Sequence, residues 1–258
     1  MSDIIVMIHG MWGRSSLWDN YKTFFEERGF QCITPTLRLH DVNPTDPAPE
    51  GLGTTSLLDY AADLEALINE LPQEPIIMGH SMGGLLAQML AGRGLGKAAV
   101  FITPASPAGI MALRWSVLWT FKSSFLRRGF WRRPTMPTFN EARYAMMHLL
   151  TPQEQREAYG RFVHESGRAT TEIGLWPLDR KGAARVDQTR LKCPVLVIGG
   201  GQDRITPAKV VRQVAVKYSA NGTYKEFPEH AHWVLAEPGW QEVAGYIHTW
   251  LTGMALAD

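Results

Sequence analysis

Pro75-Ile76-Ile77-Met78-Gly79-His80-Ser81-Met82-Gly83-Gly84 is the stretch on which the reading of the whole chain turns. Apolar residues after the proline predict a short buried strand, and Leu85 to Ala91 continues as an apolar helix. Between them stands the pattern G-x-S-x-G, with its serine on the turn from strand to helix. The glycines have a steric reason: so tight a turn strains the serine backbone, and side chains two residues to either side would collide. Gly84 then lets the helix pack close to the strand. In this setting Ser81 reads as an exposed nucleophile, whereas a serine before a helix is otherwise an ordinary N-cap.

Outward from this turn, short apolar runs alternate with helical patterns. Ile4 to Ile8 is a strand ended by His9-Gly10, and residues 30–34 form another ended by Pro35. Leu17, Tyr21, Phe24 and Phe25 mark one face of a helix over 17–28. Residues 36–53 are a long loop. Leu57, Ala61, Leu64, Leu67, Ile68 and Leu71 recur at helical spacing, with Thr54, Thr55 or Ser56 to cap them and Pro72 to stop them. Further strands are expected at 98–102, 194–198 and 223–227, with helices at 207–218 and 241–254. Such alternation predicts an α/β fold, a mostly parallel sheet with helices on both faces. Residues 107–187 lack strand signals and are too long for one crossover helix. They read as a helical cap inserted into a core made of 1–106 and 188–258.

Composition narrows the function classes. The 258 residues are 45% apolar and 20% charged, as expected of one large globular domain. Lys plus Arg number 26 against 25 for Asp plus Glu, a balance that argues against a nucleic-acid partner. Cys32 and Cys193 are too few for a disulfide framework and read as free thiols in a reducing compartment. The first residues carry an acid and too short an apolar run for a signal peptide, and no apolar stretch is long enough to span a bilayer. The expectation is a soluble, cytoplasmic protein.

A serine hydroxyl needs a base, and the base needs an orienting group. Of eight histidines, His230 and His232 share the loop after the last strand, at the end of the sheet where Ser81 should emerge. His232 is favoured as base. His80 should point away from its neighbour on the tight turn, and His148, His164 and His248 lie in the cap or the last helix. Read as a metal pair, His230 and His232 lack an accompanying ligand cluster, so no metal is expected. Asp203 follows the strand at 194–198 and precedes a helix, which suits the orienting carboxylate. Alone it could be a turn residue, and Asp179 and Asp187 are rivals nearer the cap. Developing charge on the attacked carbonyl needs fixed N–H donors. Those of Met82 and Met11 are the choice, with Trp12 as fallback for Met11 and His9 bracing the loop.

Through His9-Gly10-Met11-Trp12, Gly79-His80-Ser81-Met82-Gly83-Gly84, Asp203 and His232, the chain resembles α/β-hydrolase-fold proteins of the capped, compact kind. The resemblance covers roughly residues 3–106 and 188–256. Many relatives begin with two additional antiparallel strands; in lacking them the chain is similar to the plant hydroxynitrile-lyase and methylesterase branch. The resemblance implies a Ser–Asp–His triad in that chain order and a cofactor-free serine hydrolase acting on carboxylic esters, carboxylesterase- or lipase-like. It also admits a hydroxynitrile lyase, a ring-cleaving dioxygenase, or a ligand receptor that retains the triad. A dehalogenase would carry an aspartate in place of Ser81. Activity of a histidine base should fall as the pH drops and the imidazole is protonated.

The cap matches no pattern. Between Pro107 and Asn140 it holds Arg114, Lys122, Arg127, Arg128, Arg132 and Arg133 with no acid, a charge of +6 that leaves −5 on the remainder. Trp115, Trp119, Phe121, Phe125, Phe130 and Trp131 are interleaved with these bases. One reading is an apolar lid, in which Trp12, Trp115 and Trp119 bind a small-molecule ester by its apolar portion. A basic rim could then meet anionic substrates or a lipid surface. The other is that the aromatics merely pack cap on core and the charges are solvated.

Overall fold

The computed structural model describes residues 2–111 and 115–254. Six strands form one sheet: β1 (Ile4–Ile8), β2 (Gln31–Ile33), β3 (Ile76–His80), β4 (Ala98–Ile102) and, later in the chain, β7 (Val195–Gly200) and β8 (Gly222–Phe227). The order is β2-β1-β3-β4-β7-β8 and every pairing is parallel, as in Ile5↔Ile76 and Val100↔Leu196. Strand side chains alternate between the two faces, so each face acquires its own core. Val6, Ile8, Ile77, Phe101 and Val197 pack against helices α2 (Leu57–Asn69), α3 (Met82–Ala91) and α9 (Ala208–Lys217). Ile5, Met7, Met78, Val100 and Ile198 pack against α1 (Asp19–Glu26) and α10 (Trp240–Met254).

The strand order reverses at β1, which lies between β2 and β3. Loops leaving the carboxyl ends of β1 and β3 therefore diverge and open a crevice at that switch point. Three of the four non-glycine residues with positive φ among the described residues follow strands at this end of the sheet: Trp12, Ser81 and Thr103. Backbone strain of this kind collects at functional sites.

Between β4 and β7 the chain forms α4 (Trp115–Thr120), α5 (Lys122–Phe125), α6 (Phe139–Ala145), α7 (Pro152–Tyr159) and α8 (Gly167–Gly174). It is not all helix. β5 (Pro134–Thr135) and β6 (Glu165–Ser166) form an antiparallel pair, and two-residue strands are too short to leave any periodicity in the sequence. Two buried glutamates tie this insertion to the core. Glu165 accepts from Tyr60 Oη at 2.8 Å and lies 3.1 Å from His40 Nε2. Glu172 accepts from Ser56 Oγ at 2.8 Å and from the Leu57 N–H at 2.8 Å, at the N-terminus of α2. Ser56 is the N-cap of α2, with Asp59 completing a capping box.

Burial strongly opposes a charge on His40, but the Glu165 carboxylate and its hydrogen bond win and raise the imidazole above its ordinary 6.5. Burial likewise opposes ionisation of Glu165, and His40, Tyr60 and the Ser166 N–H hold it below 4.5. The two cysteines are free: Cys32 is buried in β2 and Cys193 half-buried before β7. Burial pushes their thiols up to about 12 and about 11.

Candidate active site

β3 delivers the chain into Ser81 with φ +56° and ψ −121°, a backbone forced by the sharp turn into α3. The turn is pinned by Ser81 N–H donating to Ile102 O and by the Leu85 and Ala105 N–H groups donating to Ser81 O. A Cβ on Gly79 would lie 2.1 Å from Gly83 O, and one on Gly83 would lie 2.1 Å from Ile8 O. Any side chain at either position would displace backbone, which is why both are glycine.

Ser81 Oγ lies 2.9 Å from His232 Nε2, and His232 Nδ1 lies 2.7 Å from Asp203 Oδ2. Asp203 and His232 sit in the loops after β7 and β8, neighbouring strands of the sheet, so residues far apart in sequence meet at one end of it. The other Asp203 oxygen accepts from the Ile205 and Thr206 N–H groups, each at 2.8 Å. Thr206 was not apparent from the sequence. Its Oγ1 lies 2.7 Å from Asp203 Oδ2 and 3.0 Å from Thr103 O, so its one proton ties the carboxylate or the end of β4. Asp179 instead accepts from Lys181 and Ala183 N–H groups, and Asp187 from Thr189, within their own turns.

The remaining histidines have other partners. His230 Nδ1 lies 2.9 Å from Glu237 Oε1, which also accepts from the Ala231 N–H, bracing the loop that carries His232. His80 donates through Nε2 to His232 O at 2.8 Å, so it grips the backbone of that loop and not the serine. His9 donates to Gly10 O and accepts from the Leu37 N–H, fixing the loop after β1. Burial first, then a neighbouring histidine, lowers both His9 and His80 to about 3, so they act as neutral struts. His164 and His148 are partly buried in the insertion.

Met82 opens α3, where the first N–H groups have no acceptor within the helix. Met11 and Trp12 are the central residues of a turn closed by Gly13 N–H donating to Gly10 O. Met11 and Met82 both border a cavity of about 320 Å³ that reaches Ser81. The core supplies one wall, through Ala105 and Ile205 among others; the insertion supplies the other, through Ile110, Phe121, Phe130 and Ile173. Among its described lining residues none is charged; Ser106, Thr170 and Thr206 add hydroxyls.

The tryptophans expected around substrate are placed differently from one another. Trp12 is buried with its ring 5.5 Å from Phe121, and with Ser81 and His232 it lines a hollow of about 20 Å³ that shares Met11, Ser81, Phe121 and Ile205 with the main cavity. Trp119 is 51% exposed. Its ring is covered by Lys122 Nζ at 3.4 Å and neighbours Tyr144, since it lies on the outward side of α4. Val117 and Phe121 take the inward side. The Trp115 side chain lies outside the described residues. Among the described residues there is no group of three or more histidine, cysteine, aspartate or glutamate side chains arranged to hold a metal.

Chemically, this arrangement can move a proton from a serine hydroxyl to an imidazole backed by a carboxylate, next to an apolar chamber. The sequence matches the model of the alpha/beta hydrolase family over residues 5–245. No curated protein sequence matches the chain. Its fold is similar to that of a methylesterase from Arabidopsis, with 11% identity, a TM-score of 0.71 and coverage of 97% of this chain and 99% of that one. It is similar also to a monoacylglycerol lipase from Paleococcus ferrophilus, with 20% identity, a TM-score of 0.69 and coverage of 97% and 94%. A thermophilic esterase from Thermogutta terrifontis, at 20% identity and a TM-score of 0.69, is covered over 98% of this chain and 90% of that one.

Proposed function

The chain belongs to the alpha/beta hydrolase family, and we propose that within it the protein is a serine hydrolase that cleaves carboxylic esters carrying an apolar group. The observation that carries this reading is the hydrogen-bonded relay Ser81–His232–Asp203 at the end of a cavity whose described lining residues are uncharged. His232 takes the proton as Ser81 Oγ attacks the ester carbonyl. The Met11 and Met82 N–H groups stabilise the oxyanion, and Asp203 holds the imidazole in the useful tautomer and offsets its charge. His232 then protonates the departing alcohol. A water molecule, deprotonated by the same imidazole, releases the acid and restores Ser81. No step calls for a cofactor. The insertion between β4 and β7 acts as the cap that excludes water from this chemistry.

Hydrolysis of a p-nitrophenyl ester series from acetate to palmitate should favour acyl chains long enough to enter the apolar cavity over acetate, and vanish in Ser81→Ala. No turnover across the series by folded protein would point instead to a lyase or a ligand receptor.

A further inference from the structure

We infer that the outer face of the insertion, residues 119–133, is a docking surface for anionic lipid bilayers. Three of the eight exposed large apolar side chains among the described residues lie within these fifteen positions: Trp119 is 51% exposed, Leu126 85% and Trp131 48%. Lys122, Arg127, Arg128, Arg132 and Arg133 are also exposed on this segment. The segment contains no acid, and no salt bridge among the described residues involves any of these five cations. A solvated face would not need exposed tryptophans beside its charges. An interfacial one does, because the indoles sit at headgroup depth while the cations meet anionic headgroups.

Around Trp119 the face extends beyond residues 119–133. Lys122 covers the Trp119 ring, Trp119 meets Tyr144 at 6.4 Å, and the Arg204 guanidinium lies 4.7 Å from the Tyr144 ring. Phe130 stands against Trp131 at 5.4 Å and borders the cavity on its other side, as do Val117 and Phe121. One layer of chain thus separates the basic, aromatic exterior from the apolar chamber that ends at Ser81. A bilayer bound here would lie over the roof of the cavity, so an ester dissolved in lipid would reach the site without crossing water. No helix among the described residues is long and apolar enough to cross a membrane, so attachment would be peripheral.

Docking does not depend on the ester-hydrolase reading, and it is tested on Ser81→Ala protein, which cannot consume the membrane. Co-sedimentation is measured with vesicles of phosphatidylcholine alone and of equimolar phosphatidylcholine and phosphatidylglycerol, at rising salt. Binding is expected to the anionic vesicles only and to weaken as the Debye length shrinks. Arg128→Gln with Arg132→Gln should reduce partitioning about 25-fold, from ~1 kcal/mol per cation. The same positions changed to Lys should retain it. Leu126→Ser with Trp131→Ser should weaken binding at every salt concentration. Each variant is checked for an unchanged melting temperature. Absence of binding to anionic vesicles at low salt, equal and salt-insensitive binding to neutral ones, or full binding by the Gln pair would overturn the inference. So would capture of a single-stranded oligonucleotide without capture of vesicles, which would assign the face to nucleic acid.

Discussion

On the proposed reading, Ser81, His232 and Asp203 work only as a connected set, so each substitution has its own expected signature. Ser81→Ala should abolish ester turnover while leaving the melting temperature nearly unchanged. Asp203→Asn should lower kcat by about 10⁴-fold, because an amide presents the wrong partner to His232 Nδ1. Thr206→Val tests a residue one step removed. Its hydroxyl touches Asp203, Thr103 and, at 3.3 Å, His232 Nδ1, the ring nitrogen turned away from Ser81, so a drop in kcat of about tenfold is expected, the equivalent of one hydrogen bond. Gly83→Ala should fail differently. With a Cβ 2.1 Å from Ile8 O, it should destabilise the fold by about 3 kcal/mol or more, read in a denaturant melt and not in kinetics.

At the scale of elements, one of the two contacts that tie the insertion to the core is the Glu165 carboxylate against His40 and Tyr60. Glu165→Ala strands both partners in the interior and should remove roughly 3–5 kcal/mol, a fall in melting temperature on the order of 10 °C. The pH dependence follows from the two opposite shifts. Glu165, held below 4.5, contributes fully above that value and loses its contribution as pH falls through its folded value. His40, raised above 6.5, contributes fully below 6.5 and loses its contribution as pH climbs through its folded value. The gap in melting temperature between parent and variant should therefore be widest between about pH 4.5 and 6.5 and narrow on both sides. None of this was visible in the sequence. His40 lies in a loop, Glu165 in a two-residue strand 125 positions away, and neither has a motif to announce it. The middle of the sheet, by contrast, was legible, because β1, β3, β4 and β7 begin as apolar runs. The turn at Ser81 was legible because its glycines are sterically obligatory. The outward side of Trp119 was hidden for a related reason: α4 is only six residues long, too short for its pattern to show which side faces inward.

For the whole molecule, topology explains why the site needs so little local signal. The reversal of strand order at β1 opens the crevice, and the carboxyl ends of β3, β7 and β8 carry Ser81, Asp203 and His232 to its edge. The insertion adds the apolar far wall, whose composition is ordinary enough that only the assembled fold reveals it as a cavity. The central claim, that Ser81 is a nucleophile activated by His232, is tested most directly by covalent capture. A fluorophosphonate would be attacked by Ser81 Oγ, forming the O–P bond as fluoride leaves. Intact-mass analysis should then show one adduct per chain, mapping to the peptide that contains Ser81. The adduct should be absent in Ser81→Ala and slow to form in His232→Ala. Folded protein that forms no adduct, or an adduct that persists in Ser81→Ala, would contradict the assignment.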